Sequence, residues 1–280
     1  MHDIKVLLKI ELKRLLKNRL LYISLFIGIV LAVCSFVKSV VPHINVLRGF
    51  SGGMPFPSSV FNRWMGSVMG LEPYATAYIY VCMLLAALPY CGLFVKDNKS
   101  QYILQYYSRV SKNKVHISRF VMTFVSGGII VLIPILLNFM ATTMFLPALN
   151  PVENGDFLNR GMSFMSNLYS DHIFVYILVY MIQTILYGGA FSVISLAVSF
   201  YFDNSFLTII MPFISFYGVG VLSSICKNIF DTYTFSPMTL ICPSHLLLDG
   251  SLFAFVIEPV LITLLSGLIY FVKGASNEAL

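Results

Sequence analysis

A chain of 280 residues in which 58% are hydrophobic and only 11% are Asp, Glu, Lys or Arg cannot cover a water-facing surface, for which about 25% charged residues is usual. With a mean hydropathy of +0.84 the composition excludes a soluble enzyme and implies a surface that faces lipid. The net charge of +6 does not mark a nucleic-acid binder, because Lys and Arg gather in two short segments beside apolar runs, where membrane topology places them.

The first of those segments is residues 1–19. Ile4, Leu7, Leu8, Leu12, Leu15 and Leu16 recur at three- and four-residue spacing, and Lys5, Lys9, Lys13, Arg14, Lys17 and Arg19 fill the remainder. An apolar stripe with a basic remainder predicts an amphipathic helix lying in the membrane interface. The apolar run that follows is too long for a signal peptide and lacks a small-residue cleavage site, so the segment reads as retained. Leu20 to Val37 is uncharged and Lys38 can snorkel, which puts a first span at 20–41. Residues 42–72 read as a loop with one short interfacial segment around Trp64 and Met65. A second span follows at 73–95, with Pro89 bending its last turns.

Residues 96–119 are the most polar part of the chain, with Lys96, Asp97, Lys99, Arg109, Lys112, Lys114 and Arg119. The third span, 120–146, is longer than the roughly 20 residues a crossing needs, and tilt or a break at Pro134 would absorb the excess. An exterior loop over 147–172 leads to a fourth span at 173–202. Asp171-His172 opens it in a capping role, and Gly188-Gly189 softens it. A tight turn at Asp203-Asn204 joins a fifth span at 206–225, which contains Pro212. Residues 227–250 form a loop in which Met238 to Cys242 can dip back into the membrane. The sixth span is 252–272.

The fold class is therefore an all-α polytopic membrane protein with six transmembrane helices. Six spans leave both termini on one face. The N-terminal segment holds six Lys or Arg, the 96–119 loop six and the tail one, against Lys38, Arg48, Arg63, Arg160 and Lys227 on the other face. The positive-inside rule predicts both termini in the cytoplasm.

Catalytic signatures are absent. There is no GxxxxGK[ST], HExxH or GxSxG sequence, and His2, His43, His116, His172 and His245 are scattered. No metal, cofactor or catalytic residue is expected on this chain. Cys34, Cys82, Cys91, Cys226 and Cys242 form no CxxC pair and read as small buried residues, although Cys226 and Cys242 would both face outward and can form a disulfide. Glu258 is the only acidic residue inside a span. An intramembrane carboxylate is costly unless paired or wet, so Glu258 is either a substrate or ion contact or a side chain reaching the interface. Pro259 follows it, and the turn should be irregular.

The 96–119 loop has room for a short projecting helix and a return segment. Tyr102, Tyr106 and Arg109 share helical spacing, as do Ile103 and Tyr107. Aromatic and Arg anchors of this kind suit docking on a soluble partner; equally, the basic residues suit anchoring to anionic lipid.

With its basic N-terminal helix, its polar loop between spans two and three and its short tail, the chain resembles the transmembrane permease subunit of a bacterial ABC transporter of the ABC-2 type. Within the loop, Asp97 matches the family's acidic position, Ile103-Leu104 its apolar pair, Val110-Ser111-Lys112 its Val-Ser-basic element, and Arg119 stands for its final lysine. Arg109 occupies the family's proline position, and no glycine lies between Lys96 and Val110. The resemblance implies that residues 1–19 are the interfacial connecting helix and that 20–280 are the six-helix transmembrane domain. It implies a cytoplasmic coupling helix over Asp97–Tyr107, with Asp97, Ile103, Leu104, Tyr106, Tyr107 and Arg109 transmitting force from a separate ATPase dimer. ATP and Mg would be held on that partner. A second permease chain, identical or related, would complete the pathway in the bacterial plasma membrane. The implied activity is export of a hydrophobic or amphipathic substrate such as a peptide, an antimicrobial or a lipid-like compound. The alternatives are a single-chain secondary transporter and a non-transport immunity or structural membrane protein.

Overall fold

The computed structural model describes residues 2–44, 58–66, 72–100, 110–149, 164–202, 204–230, 234–241 and 251–276. Every regular element among them is a helix: α1 (His2–Leu16), α2 (Arg19–Ser39), α3 (Val60–Arg63), α4 (Pro73–Lys99), α5 (Lys112–Phe145), α6 (Ser166–Asp171), α7 (Ile173–Val198), α8 (Ser205–Phe230), α9 (Pro237–Ile241) and α10 (Leu252–Ser276). Six of these, α2, α4, α5, α7, α8 and α10, are long and apolar enough to cross a membrane.

The cores of the spans lie where hydropathy puts them, and several boundaries move: α7 ends at Val198, short of the expected 202, and α8 runs to Phe230, so Lys227 is helical and not in a loop. Helix α5 begins at Lys112 and runs for 34 residues, about 50 Å at 1.5 Å per residue, well beyond a hydrocarbon core of roughly 30 Å. Arg119 was expected to end a loop; it lies inside this helix, because its charge is met within the bundle. Helix α4 likewise continues to Lys99, so Asp97 is helical.

Helices α5 and α7 form the most extensive pair, and small residues let them meet. A methyl group added at Gly127 would lie 2.6 Å from the Gly188 carbonyl oxygen, and one at Gly188 would lie 2.9 Å from that of Gly127. Without a hydrophobic drive between helices in lipid, such close backbone approach is what holds them. Gly188-Gly189 therefore does not soften the fourth span; α7 is unbroken from 173 to 198.

A proline within a span leaves the carbonyl four residues before it without its usual donor, and at Pro259 a side chain from a neighbouring helix supplies one. Pro259 removes the N–H that would reach the Phe255 carbonyl, and Gln183 Nε2 donates to that oxygen at 2.7 Å. In the turn before Pro134 the Tyr78 hydroxyl donates to the Val131 carbonyl at 2.6 Å. Asn18 caps α2 by accepting from the Leu20 N–H at 3.1 Å. Its amide also donates to the Pro89 carbonyl at 2.5 Å, which ties the start of the first span to α4. Buried Asn138 on α5 donates to the Ala32 carbonyl at 2.8 Å and accepts from the Met65 N–H at 2.8 Å.

That last contact belongs to the end of the bundle where residues 58–66 and 147–149 meet. The segment around Trp64 and Met65 was expected at the interface. Instead α3 is a single turn with a Ser59/Asn62 capping box, and Trp64 and Met65 are buried, with the indole edge-on to Phe139 at 5.2 Å. The Val60 N–H and the Ser59 hydroxyl donate to the Pro147 and Leu149 carbonyls. Asp171 closes α6 rather than opening α7, and His172, the α7 N-cap residue, makes no side-chain cap. Helix α9 packs buried Leu240 and Ile241 against α7 and α8. Cys226 is a free thiol, and Cys242 lies outside the described residues.

Candidate functional sites

Two groups of polar side chains stand out of the apolar bundle, at different places and with different chemistry.

The first lies where α1, the end of α4 and the start of α5 come together. The α1 stripe expected to lie wholly in the interface divides. Leu7 and Leu15 are buried, whereas Leu12 and Leu16 are exposed beside Val6 and Ile10. Between the two buried leucines, one helical turn from each, sits Glu11, which is 2% exposed. Its carboxylate accepts from the Tyr90 hydroxyl at 2.7 Å, pairs with Arg14 at 3.4 Å and lies 3.6 Å from Arg119 Nε. Arg119, only 1% exposed, reaches Asp97 Oδ2 through Nη2 at 2.7 Å. Arg14 reaches Asp97 Oδ1 at 2.5 Å. Among the described residues two carboxylates thus meet two guanidiniums, and these four charges cancel. Removing one member would strand a buried charge, a loss of about 3–5 kcal/mol in comparable pairs.

A neighbouring contact closes the same end of the bundle. His116, one turn before Arg119 on α5, makes a 2.8 Å hydrogen bond with the Tyr270 hydroxyl of α10. Tyr270 is fully buried among Phe120, Leu196, Ala197 and Phe200.

Asp97 is thus buried and shared between two arginines. The other expected docking residues, Ile103, Leu104, Tyr106, Tyr107 and Arg109, lie outside the described residues. Glu11, Arg14, Tyr90 and Arg119 escaped the sequence reading as a site. One signal was present, since Glu11 sits on the apolar side of an otherwise basic helix, spaced four from Leu7 and four from Leu15.

The second group is inside the membrane-spanning region. Glu258 of α10 receives the Tyr187 hydroxyl of α7 on Oε2 at 2.6 Å. Tyr187 and Gln183 are one turn apart on α7, and together they hold the turn of α10 that precedes Pro259. Glu258 Oε1 is shielded from solvent and, among the described residues, has no hydrogen-bond partner. Among the described residues no Lys, Arg or His pairs with this carboxylate. The side chain lines an open groove of about 570 Å³ between α8 and α10, walled by Val219, Phe230, Phe253, Leu261 and Leu265.

At the end of the bundle near α3, Ser39 donates to the Arg63 carbonyl at 2.9 Å. Burial pushes the Glu72 carboxyl above its ordinary value, against the opposing pull of Ser39, Lys38 and Arg63. Burial also lowers the Arg63 guanidinium, with Glu72 opposing. Among the described residues no group of three or more His, Cys, Asp or Glu side chains could hold a metal ion.

Comparison with family models, with curated proteins and with solved structures finds no match to this chain.

Proposed function

We propose that this chain is the permease subunit of an ATP-driven exporter of the ABC-2 type, with both termini in the cytoplasm of a bacterium. A separate ATPase dimer would hold ATP and Mg, and a second permease chain would face this one across the pathway. The cargo is hydrophobic or amphipathic. The observation that supports this reading is the neutral cluster of Glu11, Arg14, Asp97 and Arg119. Asp97 and Arg119 flank the connection between the second and third spans, and Glu11 and Arg14 attach the N-terminal helix to both. A push on that connection would move three helices as one body, which is what an external motor requires of its permease. Helix α1 leaves Val6, Ile10, Leu12 and Leu16 exposed among lysines, as a helix resting on a membrane surface would.

Expression with the neighbouring genes, followed by affinity purification of this chain, tests the reading. Capture of a nucleotide-binding subunit, with nucleotide hydrolysis that depends on this chain, is expected. Purification without one overturns it. The intramembrane carboxylate Glu258 favours one competitor, a single-chain transporter driven by an ion gradient. Cargo movement in vesicles that needs a proton gradient and no ATP would identify that alternative.

A further inference from the structure

Glu258 has no structural partner equal to its charge, and its surroundings have a shape that one kind of ligand would complete. We propose that the groove between α8 and α10 binds a lipophilic monocation, with Glu258 as its counter-charge. This deepens the transport reading and rests on it for its biological meaning, although the binding itself does not require it.

Four observations carry the proposal. Glu258 Oε1 lacks a hydrogen-bond partner while its twin oxygen is fixed by Tyr187, so one acceptor is left over on a side chain that is otherwise held in place. A buried polar group in that condition is expensive, and an intramembrane carboxylate without a partner marks a pathway or ligand contact. The groove beside it measures about 570 Å³, within the roughly 300–1,000 Å³ of small-molecule sites, and has their usual make-up of mostly apolar walls with few polar groups, among the described residues Glu258 and Ser251. Among the described residues no cation of this chain reaches the carboxylate, which leaves a place for a cation from outside. Phe230, Phe235 and Phe253 line the same groove, and aromatic faces add attraction for an organic cation.

Occupants of other chemistry fit less well. An anion would meet a carboxylate in a low-dielectric setting, and a neutral hydrocarbon would leave Oε1 unsatisfied.

The test uses the full chain in phosphatidylcholine nanodiscs, without an ATPase, and two ions of matched size and shape, tetraphenylphosphonium and tetraphenylborate. Saturable binding of the cation and none of the anion is expected. Glu258→Gln should weaken cation binding by at least about tenfold. Leu261→Trp, which fills the groove and leaves the carboxylate in place, should weaken it comparably and answers for the case in which the Glu258 variant does not fold. Undiminished cation binding in both variants, or equal binding of the two ions, overturns the proposal. So does the absence of binding together with cross-linking through Cys226, which lines the groove, because a second copy would then occupy it. Loss of the ATPase in the purification described above bears on the transport reading alone, and loss of cation binding bears on the groove alone.

Discussion

Two carboxylate sites of the protein are treated oppositely. At the junction of α1, α4 and α5, Glu11 and Asp97 meet Arg14 and Arg119 drawn from two helices, and a tyrosine hydroxyl besides. On α10, Glu258 receives one hydroxyl and keeps one oxygen empty. Charge balance makes the first a fastener, since every member is engaged by another part of the chain. The second has no countercharge among the described residues, and the proposed cation site rests on that imbalance. In a molecule this poor in charge, the degree to which a charge inside the bundle is answered separates the two sites.

The largest expected effect breaks the fastener. Arg119→Met leaves Glu11 and Asp97 short of a cation and should lower stability by about 3–5 kcal/mol, read as thermal unfolding in detergent. Adding Asp97→Asn to that variant should recover part of the loss. Glu258→Gln sharpens the contrast. Tyr187 can still donate to the amide oxygen, so stability should change by less than about 1 kcal/mol, with a gain allowed by the removal of an unpaired carboxyl. A loss as large as that of Arg119→Met would erase the distinction between the two sites.

Smaller effects probe the packing that carries both. Gly127→Ala puts a methyl group against the Gly188 carbonyl and should destabilise by about 1–3 kcal/mol through overpacking. An unchanged melting temperature would show that α5 and α7 can part without loss. Asn138→Leu removes contacts to Ala32 and Met65 and should lower stability by about 0.6–2 kcal/mol, the range for hydrogen bonds between helices in lipid.

The smallest effect is one of pH. The raised folded value of Glu72 means that folding favours its protonated form. That contribution is present in acid, below the unfolded value, and is lost as pH rises through the folded one. Glu72→Gln should remove the loss, so the melting temperature of the variant relative to the native chain should climb as pH rises above about 4. A constant difference across that range would show that the group feels the same surroundings folded and unfolded.

How much of this was legible beforehand depends on the range of the forces involved. Glu258 was visible because a lone acidic residue in an apolar run needs no partner to be noticed; its tyrosine and its empty oxygen were not. Arg119 was misplaced because hydropathy treats every arginine as facing water, whereas this one is satisfied by Asp97 and by Glu11, far off in sequence. Gly188-Gly189 carried two meanings in one dimension, flexibility or close approach, and only the presence of Gly127 opposite selects the second. The segment around Trp64 and Met65 reads as a short interfacial one in the sequence, and the Phe139 ring that packs on the indole is 75 residues away along the chain.

By itself the sequence determined that the chain is helical and that six segments are long and apolar enough to cross a membrane, because transfer of a segment into lipid depends on that segment's own side chains. Tertiary structure alone decided which charges are answered and which is left open. Charge compensation, unlike hydrophobicity, is a property of pairs, and here the pairs join residues 11, 14, 97 and 119 across three helices.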